Sequence, residues 1–118
     1  MTRDLHFTPN ATFSGLRGVP LVALSRNSLY PELTIGVDSL AIRVIRRHRL
    51  LFRDIREVRV RWRLAYQLTI VPVRGLRTFS ANFLSRKDAA RVIEALKQRG
   101  VALDATASGL LKAGPSPP

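Results

Sequence analysis

The chain has 118 residues, of which 46% are apolar and 24% charged, and it contains no cysteine. That length supports one domain around one core, and the missing cysteine excludes a disulfide framework and a thiolate metal centre. Twenty Lys and Arg oppose eight Asp and Glu, a net charge of +12, which draws polyanions towards the surface.

In chain order, residues 1–18 carry Pro9, Gly15 and Gly18 and are expected to form a loose lead-in without an apolar signal segment. A β pattern runs from Val19 to about Phe83. Val19–Leu24 is a short apolar run broken at Arg26-Asn27-Ser28. Glu32–Val37 alternates, Asp38-Ser39 offers a turn, and Leu40, Ile42 and Val44 resume the period of two. Arg46-Arg47-His48 reads as the next turn, and RLLFRDI as the strand after it. Val58, Val60 and Trp62 then oppose Glu57, Arg59, Arg61 and Arg63. The three-residue step from Ile55 to Val58 requires a register shift. Tyr66–Val71 and Arg77–Phe83 alternate on either side of a loop at Val73–Leu76. The result is about seven short strands.

A helix follows. Ser85 suits the N-cap, with Asp88 three positions on. Ala89, Val92, Ile93 and Leu96 form one apolar stripe, and Gly100 suits the position after the helix. Residues 104–118, rich in small residues and proline, are expected to be disordered.

Three strings carry a resemblance: LTIGVDSLAIRV, FRDIREVRV and SRKDAARVIEALKQRGV. With the order of strands, then one helix, residues 19–103 resemble a bacterial pleckstrin-homology-like (PH-like) domain. The resemblance implies a mainly β fold, a barrel of about seven antiparallel strands capped by one C-terminal α-helix, and a non-catalytic binding role. The basic motif of phosphoinositide-binding members has no counterpart in LVALSRNSLYPELTI, which offers only Arg26 and holds Glu32.

No catalytic constellation is evident. His6 and His48 lack ligand spacing, a metal site needs at least three convergent ligands, and His48 reads as a solvated turn residue. Asp54 and Glu57 are placed to pair with Arg53, Arg56 or Arg59. The expectation is therefore no enzyme, no cofactor, no metal and no small-molecule substrate. Phe52 and Trp62 are assigned to the core, because large aromatics supply much of a small core's buried area.

The segment RVIRRHRLLFRDIREVRVRWR holds nine arginines and two acids. Arg43, Arg46, Arg47, Arg49, Arg59, Arg61 and Arg63 are the candidate residues for an anion or partner. Arg59, Arg61 and Arg63 share one strand face, and Arg43 and Arg47 join them if the neighbouring hairpin stacks alongside. The opposing explanation is a solvated face filled with arginine by codon usage. Three functional classes remain. The first is protein–protein interaction or self-association through free strand edges. The second is peripheral binding to anionic membrane, and the third, less favoured, is sequence-independent nucleic-acid binding. No apolar run reaches the ~20 residues of a membrane span, so a cytoplasmic protein is expected, peripheral at the membrane in the second class.

Overall fold

The computed structural model describes residues 4–16, 23–27, 29–62 and 65–112. Nine strands form: β1 (Leu5–Phe7), β2 (Ala11–Leu16), β3 (Ala23–Asn27), β4 (Glu32–Ile35), β5 (Ser39–Val44), β6 (Arg46–Leu51), β7 (Ile55–Trp62), β8 (Tyr66–Pro72) and β9 (Arg77–Phe83). Two helices follow, α1 (Arg86–Gln98) and α2 (Ala105–Lys112). The strands make two antiparallel sheets, a four-stranded one in the order β1-β4-β5-β6 and a five-stranded one in the order β3-β2-β9-β8-β7. A single turn of 3-10 helix, Phe52–Asp54, carries the chain from the edge of the first sheet to the edge of the second.

The alternation in the sequence sets which residues face inwards. Leu33, Ile35, Leu40, Ile42 and Val44 of the first sheet share a core with Val58, Val60, Leu68, Ile70, Phe79, Ala81 and Phe83 of the second. Ala89, Val92, Ile93 and Leu96 of α1 close the same core. The Ser85 hydroxyl accepts from the Asp88 N–H at 3.3 Å, the expected cap. Gly100 has φ 81°, the left-handed conformation that ends a helix at low cost. The register shift expected between Ile55 and Val58 lies between Ile55 and Glu57.

Several expectations are corrected. Among the described residues the sheets are two, with no closed barrel, and the helices are two rather than one. The lead-in holds β1, paired with β4, and β2, paired with β9 and β3. β2 escapes a hydrophobic-pattern search because its fully buried residues are polar. Thr12 donates to the Arg43 carbonyl, and Ser14 accepts from an Arg77 guanidinium N–H at 3.4 Å. The tail expected to be disordered holds α2. The Asp104 carboxylate accepts from the Ala107 N–H at 2.8 Å, and Ala107, Leu110 and Leu111 pack on the core. The turn expected at Arg46-Arg47-His48 is strand, and the chain reverses at Ile45 instead. The apolar run Val19–Leu24 lies largely outside the described residues, and β3 covers part of the stretch expected to break it.

Candidate functional site

The candidate arginines do not form one surface. Arg43 lies on β5, and Arg46, Arg47 and Arg49 lie on β6, at the edge of the first sheet. Arg59 and Arg61 lie on β7, the edge of the second, and Arg63 falls outside the described residues. The condition for Arg43 and Arg47 to join the β7 set is not met: β5 pairs with β4 and β6, β6 pairs with β5, and neither pairs with β7. The chain turns a corner at Phe52–Asp54 and changes sheet.

The structure gathers the arginines of the β5–β6 hairpin. Arg43 and Arg47 are cross-strand partners, and the next pair is Val44 and Arg46, so Ile45 alone occupies the apex. Like charges directly opposite one another destabilise a sheet unless an acid answers them. Glu32, the partner of Arg43 on β4, reaches Arg47 at 3.8 Å. Arg49 pairs with Asp38 at 3.5 Å and donates to the Ser39 hydroxyl at 2.9 Å. On β7, Glu57 holds Arg59 at 3.2 Å, as its spacing suggested. Arg46 and Arg61 are exposed and make no ion pair among the described residues. Exposed pairs of this kind contribute about 0–1 kcal/mol each, so a strong external anion can take over Arg47 or Arg49 at small cost.

The apex also exposes apolar groups that the periodicity did not single out. Ile45 is 63% exposed, with φ 65°. Leu29 and Tyr30, 84% and 71% exposed, precede Glu32 by three and two residues and so lie at the Arg43 end of the same sheet. No Gly, Asn or Asp occupies the reversal, so turn chemistry gave no signal for it.

Of the two aromatics assigned to the core, Phe52 packs against it and Trp62 does not. Phe52 is half-buried and packs on the core from the 3-10 turn. Trp62 is 60% exposed and stacks on Tyr66, ring centroids 4.7 Å apart. It keeps the parity of Val58 and Val60, but β7 runs past the edge of the core before it reaches Trp62. Leu84, exposed just after β9, belongs to the same end of the sheet, since Tyr66 pairs with Phe83.

His48 is not a solvated turn residue either. It is half-buried on β6, opposite Ile42. Burial lowers its pKa below the usual 6.5, Arg77 and Arg46 lower it further, and a hydrogen bond to the Val44 backbone acts against them. A partly open groove runs between β6 and the β8–β9 loop, lined by Arg49, Leu50, Asp54, Pro72, Val73 and Arg74. Among the described residues, no three His, Asp or Glu side chains converge as a metal site would require, and no helix is long and apolar enough to cross a membrane. No protein-family model matches the chain, and no curated protein is significantly similar to it.

Proposed function

We propose that this chain is a non-catalytic binding module that docks on an anionic membrane surface through the β5–β6 hairpin. The observation that carries this is the company of the arginines. Arg43, Arg46 and Arg47 surround an apex that exposes Ile45, with Leu29, Tyr30 and the partly exposed Glu32 at the same end. Each cation near an anionic bilayer contributes about 1 kcal/mol, so three contribute roughly 3 kcal/mol, and the net charge of +12 orients the approach. A nucleic-acid surface fits less well, because the arginines are divided between two sheets instead of tracking one backbone. Seven of the nine strands, β3–β9, followed by α1, occupy the stretch that resembles a PH-like domain, which supports a binding role.

The test is co-sedimentation with vesicles of phosphatidylglycerol and phosphatidylcholine, against phosphatidylcholine alone, at low and high salt. Binding to the anionic vesicles only, weakened by salt and by the pair Arg46→Gln and Arg47→Gln, is the expected result. Equal binding to neutral vesicles, or none to either, overturns the proposal.

One observation favours a second reading, a protein partner. Trp62, Tyr66 and Arg61 are residue types that dominate interface energetics, and here they sit together at one end of the β7–β8 pair. The β7 edge offers less to a partner strand, since Val58 already bonds Ala102 and Asp104 through its backbone. Loss of a partner on Trp62→Ala, with vesicle binding retained, would assign that end to a protein.

A further inference from the structure

We infer that Ile45 is an apolar wedge that enters the acyl region of an anionic bilayer, with Leu29 and Tyr30 beside it and Arg43, Arg46 and Arg47 held at headgroup level. The inference rests on the docking proposed above and adds its depth and its anchor residue. Its starting point is a conflict within the hairpin. Ile45 is the one non-glycine residue with positive φ among the described residues. A β-branched side chain is among the worst suited to that conformation, whereas Gly or Asn adopts it readily.

Such strain persists when something else in the system recovers it. The β5–β6 pairing holds the backbone there, but the Ile45 side chain returns nothing to the fold, because it is largely in water. An apolar medium outside the protein supplies that return, since burying an isoleucine is favourable wherever the burial occurs. The flanking cations specify the medium. Three guanidinium groups around an apolar point match an acyl layer under anionic headgroups. They match a second copy of this chain poorly, since both copies carry +12. Tyr30 adds an amphipathic ring suited to the boundary between headgroup and acyl chain.

The chain has no cysteine, so Ile45→Cys gives a single site for an environment-sensitive fluorophore. Val37→Cys gives the matched control, because Val37 is also 63% exposed but lies in the turn at the opposite end of β4 and β5. On phosphatidylglycerol-containing vesicles the label at position 45 should shift to the blue, and the label at position 37 should not. In the unlabelled chain, Ile45→Gly should weaken vesicle partitioning about tenfold while its melting temperature holds or rises. Val37→Ser should leave partitioning unchanged. If the protein sediments with anionic vesicles but the position-45 label stays aqueous, the wedge is wrong and surface docking stands. If it sediments with no vesicle, both fall. Full binding by Ile45→Gly, or sedimentation only with an oligonucleotide and no blue shift, also overturns the wedge.

Discussion

The His48 ring lies against the Phe79 ring, centroids 4.8 Å apart, and so joins the edge strand of one sheet to the central strand of the other. Arg77 also lies over the Phe79 ring, its guanidinium carbon 5.2 Å from the ring centre. Burial, then Arg77, then Arg46 depress the His48 pKa. A histidine whose folded pKa is depressed binds its proton more readily when unfolded. Stability is therefore complete above about 6.5 and is lost as pH falls from there towards the folded pKa. Melting temperature should decline between pH 7.5 and 5.5, and His48→Phe should flatten that decline. An unchanged slope in the variant would assign the pH dependence to other groups.

Asp104 serves two elements at once. Its carboxylate accepts from the Ala107 N–H at 2.8 Å and from the Val60 N–H at 3.4 Å. Its own N–H donates to the Val58 carbonyl at 3.0 Å. Asp104→Ala should cost about 1–2 kcal/mol in chemical denaturation, the range for a lost N-cap. Hydrogen exchange at Val60 and in α2 should accelerate together, because one side chain supports both.

Trp62, which departs from its core assignment, can be weighed against Phe83, which keeps its inward place. Trp62→Ala removes an exposed ring whose described ring contact is Tyr66, so its cost should stay near 1 kcal/mol. Phe83→Ala removes a ring that is fully buried in the core and should cost about 3–5 kcal/mol. Thermal or denaturant unfolding of the pair checks the order. A Trp62→Ala cost equal to that of Phe83→Ala would mean that Trp62 is core after all.

Gly100 isolates a backbone effect. A methyl group added there would meet no atom within 4 Å, yet φ is 81°. Gly100→Ala should therefore destabilise by about 1 kcal/mol through conformation alone, with no change in core packing by near-ultraviolet circular dichroism.

The arginine sets can be separated by substitution. Arg46→Gln with Arg47→Gln should reduce binding to anionic vesicles, whereas Arg59→Gln with Arg61→Gln should act mainly through net charge, because those residues lie on the other sheet. The two doubles remove the same charge, so equal losses would mean that the position of the cations is irrelevant.

Much of the fold was legible because burial acts on local patterns. Period-two alternation placed Leu40, Ile42 and Val44, and later Phe79, Ala81 and Phe83, on inward faces. Period 3.6, with Ser85 and Gly100 at its ends, marked α1. β2 was not legible, since Thr12 and Ser14 are inward-facing polar residues whose partners lie 31 and 63 residues away. α2 was hidden for a related reason. Its cap is visible as Asp104, but the surface that makes Ala107, Leu110 and Leu111 worth ordering belongs to the folded core.

What the sequence determined by itself was the charge, the antiparallel β class and the amphipathic helix, all consequences of residue type and local spacing. Where each side chain meets water was set by contacts between distant parts of the chain. Trp62 kept its parity and lost its burial because the core ends before the strand does. Arg59 and Arg61 keep their common face on β7, and the β5–β6 arginines fall on another sheet because the chain changes sheet at Phe52–Asp54. Ile45 became an exposed apex because the pairing of Val44 with Arg46 left it no other place. Period and composition fix a residue's direction relative to its neighbours along the chain, but exposure depends on residues that are distant in sequence.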